Sequence, residues 1–250
     1  MRRFITSLLL LLSLLLLGVM SAQVAEAVAK PTDVIASKTG DFTITSLGHG
    51  TLMFQWQGKV VHVDPWTSQG DYDALPKADL ILVTHEHGDH LDGGAIKKLL
   101  KEGTVIGASR KASATLSGAI VLKNGESKVL AGILVDAVPA YNLKHMRSGS
   151  EPFHPQGQGN GYVLHFGDLR VYVAGDTEDV PEMAALRGVD VAFLPVNLPY
   201  TMTPAMLMHA VSMVQPRILF PYHTTDTDMA AVEAMLKTVS GMETRIRPMK

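Results

Sequence analysis

From Asp41 onward the chain alternates short apolar runs with glycine-rich breaks. "FTITSL", "TLMFQW" and "KVVHVD" are each long enough for one strand, and Gly48, Gly50 and Gly58 punctuate them. "ADLILVT" (78–84) is apolar without alternation, which predicts a buried strand. Beyond it Ala95, Ile96, Leu99 and Leu100 share one helical face, with Asp92 placed to cap the helix start and Gly103 to end it. The pattern then predicts a strand at "TVIGA", a helix near 110–117, and strands around 119–122, 127–131 and 133–138. A Gly/Pro/His-rich loop over 140–160 leads into a hairpin, "GYVLHF" and "LRVYVAG", and a helix opened by Asp179, Pro181 and Glu182. "VDVAFLPV" reads as another buried strand, and Thr203-Pro204 opens a helix with Leu207, Ala210, Val211 and Val214 in register. "RILFPYH" closes the strands, and 226–240 forms the last helix. Two β-rich halves, each carrying helices, predict one layered α/β domain over 41–250.

The first 40 residues follow a different pattern. Arg2 and Arg3, an apolar run from Leu8 to Met20, and Ala25-Glu26-Ala27 have the form of a secretory signal peptide over 1–27. The expected location is therefore the periplasm or the medium, with no stable membrane anchor after cleavage. Residues 28–40, "VAKPTDVIASKTG", read as a loose lead-in. With no cysteine, neither a lipid-anchoring thiol nor a disulfide is available, so the core alone must hold an exported fold. Losing Arg2, Arg3 and Glu26 moves the formal net charge from −2 to −3. An acidic chain without a basic run is a poor nucleic-acid ligand, which leaves a small-molecule substrate as the expected partner.

Polar residues cluster just past predicted strand ends, at 84–90, 175–179 and 222–226. In "VTHEHGDH", His85 and His87 stand two apart, with Asp89 and His90 following, and Gly88 lets the backbone turn. On a turning loop that spacing lets His85 and His87 grip one ion while Asp89 and His90 face a second. Imidazole and carboxylate suit zinc, with manganese or iron as alternatives. "YVAGDTED" puts Asp176 at a strand end, where a carboxylate can bridge two cations, and "FPYHTTD" puts His223 at another.

This order of motifs, HxHxDH, then GD after an apolar strand, then a late PYH, resembles the metallo-β-lactamase fold superfamily. "HVDP" (62–65), "AYN" (140–142), "YVAGDT" (172–177) and "FPYH" (220–223) resemble most the branch that includes ascorbate-6-phosphate lactonase and N-acylphosphatidylethanolamine phospholipase D. The resemblance spans about residues 41–240 and implies a four-layer αββα sandwich with the metals at one edge of two sheets. It implies His85, His87, Asp89, His90, Asp176 and His223 as ligands. One position departs: where the family carries a further histidine, this chain has Asn142. Asn142 is then a weak oxygen ligand or leaves an open position. His154, in "EPFHPQG", is the expected replacement ligand or a substrate contact, and His145 is expected to be exposed. Asp64 suits a carboxylate behind a metal-bound imidazole, His49 a cleft wall and Tyr200 the pocket edge. His62, His165 and His209 read as structural.

Water held between two divalent ions ionises near neutral pH, so the expectation is a hydrolase that needs no serine or cysteine nucleophile. Asp89 and Asp176 are its expected catalytic carboxylates. A small ester, lactone or phosphate ester is the first substrate class. Alternatives are phosphodiesterase or phospholipase activity, a metal-binding protein without catalysis, and a redox site holding iron. No cysteine stands at the Asp176 position, which argues against antibiotic hydrolysis.

Overall fold

The computed structural model describes residues 30–250, so the predicted signal peptide lies outside the described residues. The predicted strands pair into two seven-stranded sheets. The first runs in chain order: β1 (Thr32–Ile35), β2 (Phe42–Gly48), β3 (Thr51–Trp56), β4 (Lys59–Val63), β5 (Leu80–Val83), β6 (Val105–Ala108) and β7 (Ile120–Val121). After it come β8 (Ser127–Leu130) and β9 (Ile133–Ala140), then a small separate ribbon of β10 (Met146–Ser148) and β11 (Glu151–Pro152). The chain continues through β12 (Gly159–Phe166), β13 (Leu169–Val173), β14 (Val191–Pro195), β15 (Ile218–Tyr222) and β16 (Glu243–Thr244). The second sheet has the order β16-β15-β14-β13-β12-β9-β8.

Alternation along the strands divides the apolar residues among three cores. Phe42, Phe54, Leu80, Leu82, Phe166, Phe193 and Phe220 point between the sheets. Their rings touch in sequence, Phe42–Phe54 at 5.4 Å, Phe54–Phe193 at 5.7 Å and Phe193–Phe220 at 4.9 Å between centroids. The other face of the first sheet, with Ile81 and Val83, packs against α1 (Gly93–Leu99) and α2 (Arg110–Ser113). The other face of the second, with Ala192, Leu194 and Leu219, packs against α3 (Pro204–Val214) and α4 (Met229–Leu236). The result is the expected single αββα domain. No helix among the described residues is long and apolar enough to cross a membrane.

Local details differ from expectation. The lead-in over 28–40 contains β1, which pairs antiparallel with β2. It is fixed by tertiary bonds: Arg247 Nε and Arg245 Nη1 donate to the Asp33 carboxylate at 2.9 and 3.1 Å. Asp92 caps α1 as predicted, accepting from the amides of Gly94 and Ala95, but Leu100 ends that helix and is exposed. The helix expected over 110–117 lasts only to Ser113, and the segment after Asp179 is a 3-10 helix, Pro181–Leu186.

Candidate metal centre

Strand polarity explains why distant residues meet. β4, β5 and β6 run parallel, as do β13, β14 and β15, so their C-terminal ends lie along one edge of each sheet. Asp64 follows β4, the 84–90 cluster follows β5, Asp176 follows β13, and His223 follows β15. Antiparallel pairings bring the β2–β3 turn with His49, through β3 and β4, and the end of β9, through β12 and β13, to the same edge. Three of these residues sit in left-handed backbone conformation, His49 at φ 52°, Asp64 at 47° and His223 at 50°. Such φ values are costly outside glycine and cluster at functional sites. Gly50 makes room: a Cβ there would stand 2.7 Å from His90 Cε1.

The donors form groups that face one another. His85, His87 and His154 bring one nitrogen each within 4.8 Å, and so do His49, Asp89, His90 and His223, counting one carboxylate oxygen. Asp176 lies between the groups. Its Oδ2 is 3.3 Å from His154 Nε2 and 3.9 Å from His85 Nε2. Its Oδ1 is 3.4 Å from both His90 Nε2 and His223 Nε2. Buried and without a hydrogen-bond partner are the Nε2 atoms of His90, His154 and His223 and Oδ1 of Asp176. Buried polar groups are ordinarily paired, so a convergent set of unpaired ones fits a cation donor set. His85, His87 and His154 could hold one ion, Asp89, His90 and His223 another, with Asp176 placed to bridge.

Behind the donors, hydrogen bonds fix which ring nitrogen is presented. Asp64, fully buried, accepts from the Thr84 amide (2.7 Å), Thr84 hydroxyl (2.6 Å) and His90 Nδ1 (2.8 Å). With its proton given to Asp64, the Thr84 hydroxyl is left to accept from His85 Nδ1 at 3.0 Å. Both rings therefore carry hydrogen on Nδ1 and turn Nε2 toward Asp176. Asn142 does the same for His154. Its Oδ1 accepts from the His154 backbone amide (2.9 Å) and from Nδ1 (2.6 Å), while its Nδ2 donates to Glu178 Oε1 (3.2 Å) and Tyr200 O (2.9 Å). The Glu178 carboxylate can only accept here, and this orients the Asn142 amide.

The electrostatics follow burial and crowding. Burial drives the His85 ring well below the ordinary histidine range, and His90 adds to the effect. Burial opposes the charged form of His90 too, but Asp176, Asp64 and Asp89 outweigh it and lift that ring to about 10. Burial also works against ionised Asp176, yet His223, His90 and His154 hold its carboxyl well below the usual range. Burial lowers both His49 and His87. Carboxylates held ionised among crowded, buried imidazoles are the charge pattern of a cation site.

Each residue singled out in the sequence, except His145, His62, His165 and His209, lies at this edge. His87, Asp89, His154, Asp176, His223, His49 and Tyr200 line a cavity of about 410 Å³. Asn142 does not face the donors as an oxygen ligand; it bonds to His154 from behind. His145 is half-buried rather than exposed, its Nδ1 2.8 Å from Glu178 Oε1. His62 bonds Pro76 O, His165 pairs with Asp136 and His209 with Asp179. Sequence reasoning missed Thr84, Glu178, Arg147, Phe153 and Asn197. Thr84, Glu178 and Phe153 had a signal, each within two residues of a donor; Arg147 and Asn197 had none.

Residues 43–223 match the family model described as a beta-lactamase superfamily domain. A UPF0173 metal-dependent hydrolase of Thermococcus kodakarensis is 32% identical over 193 residues, 71% of this chain and 82% of that one. Among solved structures, a candidate metal-dependent hydrolase from Parabacteroides distasonis superposes with TM-score 0.84 at 44% identity, covering 88% of this chain and all of that one. Igni18, a metallo hydrolase of Ignicoccus hospitalis, shares the fold at TM-score 0.69 and 23% identity over 83% of this chain and 95% of its own. With its fold, its edge site and its matched residues in agreement, the chain belongs to the beta-lactamase superfamily.

Proposed function

We propose that this protein is an exported metal-dependent hydrolase with two divalent ions, zinc first, cleaving a small ester, lactone or phosphate ester. One observation carries the reading. Four imidazole Nε2 atoms converge on the two oxygens of Asp176 at 3.3 to 3.9 Å, and three of them, on His90, His154 and His223, are buried without a hydrogen-bond partner. Bound there, two ions would supply a water-derived nucleophile near neutral pH and a Lewis acid for the scissile carbonyl or phosphoryl oxygen. Asp176 would share its oxygens between the ion positions. Asp89, bonded to His49 Nε2 at 3.0 Å and open to the cavity, would be the carboxylate placed to accept a proton there and to return it to a leaving group. Relatives named metal-dependent hydrolases support the reaction class. The form of residues 1–27 supports export.

The test is metal stoichiometry of the purified mature chain by elemental analysis, beside turnover of generic esters and phosphodiesters. Two ions per chain, falling towards one in His154→Ala, with turnover by the wild type, is the expected result. One ion or fewer without turnover would overturn the proposal.

A further inference from the structure

We infer that the site selects substrates carrying a carboxylate or phosphate group away from the scissile bond, and that Arg147 and Asn197 read that group. This inference rests on the hydrolase reading and adds its substrate class. Beyond the donors, the cavity wall includes Arg147, Phe153, Asn197 and Tyr200. Arg147, on β10, is the only lysine or arginine lining it, and among the described residues no carboxylate lies within 4.0 Å of its guanidinium. Its contact is instead His87: Nη2 stands 2.9 Å from His87 Nε2.

That contact is provisional by its own chemistry. His87 turns Nδ1 inward, 3.0 Å from His85 Nε2, and Nε2 outward to Arg147. A ring that spends its Nδ1 lone pair on a cation carries its proton on Nε2, and a guanidinium has only donors. Arg147 then has nothing to donate to at His87 and faces the cavity as an unneutralised charge.

Asn197 is the second, independent observation. It is 1% exposed, and its backbone amide and Oδ1 both bond Thr201 Oγ1, at 3.0 and 2.7 Å. Its Nδ2, buried beside the cavity, has no partner. A buried amide donor without a partner costs free energy unless a ligand oxygen meets it. Phe153 and Tyr200, edge to face at 5.0 Å, supply an apolar wall for the carbon chain between the anion and the scissile bond. A guanidinium fork, a spare amide donor and an aromatic wall in one cavity suit an amphipathic anion better than a neutral ester.

The experiment uses zinc-loaded full protein and three 4-nitrophenyl esters that share a leaving group. They are butyrate, the glutarate monoester with its free carboxylate, and the same chain ending in a phosphonate. The wild type should favour the charged esters, chiefly through KM. In Arg147→Gln the charged-to-neutral ratio of kcat/KM should fall about tenfold or more, and Arg147→Lys should recover part of it. Which charged ester loses more identifies carboxylate or phosphate as the preferred anion. A ratio equal in wild type and Arg147→Gln would overturn the inference while leaving the hydrolase reading intact. If the metal-loaded wild type turns over none of the esters, the ester part of the hydrolase reading falls, and glutarate binding by calorimetry decides the subsite. Weaker binding by about tenfold in Arg147→Gln would then sustain it, and equal binding would overturn it.

Discussion

Asn142→Leu tests whether the residue that departs from the family pattern is a positioning group. Leucine keeps the volume but removes one acceptor and two donors. Four bonds go: two from His154 to Oδ1 and one each from Nδ2 to Glu178 and Tyr200. Glu178 keeps the amides of Leu143, Lys144 and His145, so its loss is small. The His154 amide and Nδ1–H lose their only protein partner, and His154 is 5% exposed. Orphaning two buried donors costs about 1–3 kcal/mol each, so about 3 kcal/mol in total is expected. At about 2–4 °C per kcal/mol for a chain this size, Tm should fall by roughly 6–12 °C. Losing an outer partner of a metal-bound imidazole weakens metal binding by about 10- to 100-fold. Chelator competition followed by elemental analysis would show one of two ions leaving first. The reasoning is refuted if Asn142→Leu keeps wild-type affinity for both ions. Asn142→Asp gives a second check, since it places a carboxylate oxygen where Nδ2 is 3.2 Å from Glu178 Oε1. Repulsion there should destabilise the protein, whereas tighter metal binding would mark residue 142 as a ligand after all.

Four further outcomes are expected. In the metal-free protein His90, lifted to about 10 by Asp176, Asp64 and Asp89 against the effect of burial, is protonated at neutral pH. Metal must displace that proton, so affinity should rise about tenfold per pH unit from about pH 7 to 9. Calorimetry in buffers of different ionisation enthalpy should count at least one proton released, and none released would contradict the assignment. The same raised pKa stabilises the metal-free protein fully below the ordinary histidine value of about 6.5, and that contribution is lost as pH rises through about 10. Gly50→Ala drives a methyl to 2.7 Å from the His90 ring, so a loss of about 1–3 kcal/mol and of metal affinity is expected, against near-wild-type melting if the ring can yield. Asp64→Asn tolerates the left-handed backbone at φ 47° yet removes an acceptor from Thr84 or His90. It should weaken metal binding about 10- to 100-fold with little change in fold, which circular dichroism and metal titration would separate.

Strand content and layer order were legible because a strand's period divides its residues between two faces. "VDVAFLPV" looked uniformly buried, and it is: Val191 and Phe193 face the other sheet while Ala192 and Leu194 lie under α3. β1 was not legible, because "TDVI" is short and half polar and is held by Arg245 and Arg247, more than two hundred residues downstream. Leu100 fitted the apolar face of α1 by spacing, but the helix ends before it and turns it to solvent. Periodicity describes a face only while the element lasts.

Spacing exposed HxHxDH because its donors are consecutive on one loop. His154 was harder to separate from His145, since both lie on one long loop and nothing local distinguishes them. Glu178 makes the distinction. Its carboxylate, two residues past Asp176, accepts from three consecutive amides at 143–145, each at 2.7–2.8 Å, and wraps that turn around itself. Held this way, His145 is spent on Glu178, and Asn142 points Oδ1 at the returning strand of the loop. That strand delivers His154 to Asp176 at 3.3 Å. On the proposed two-ion reading, the loop would make good the asparagine at position 142 with the imidazole twelve residues further on, which the Asn142 amide aims. A single buried glutamate can thus decide which of two histidines faces the site, although it touches neither the cavity nor a donor atom that points into it.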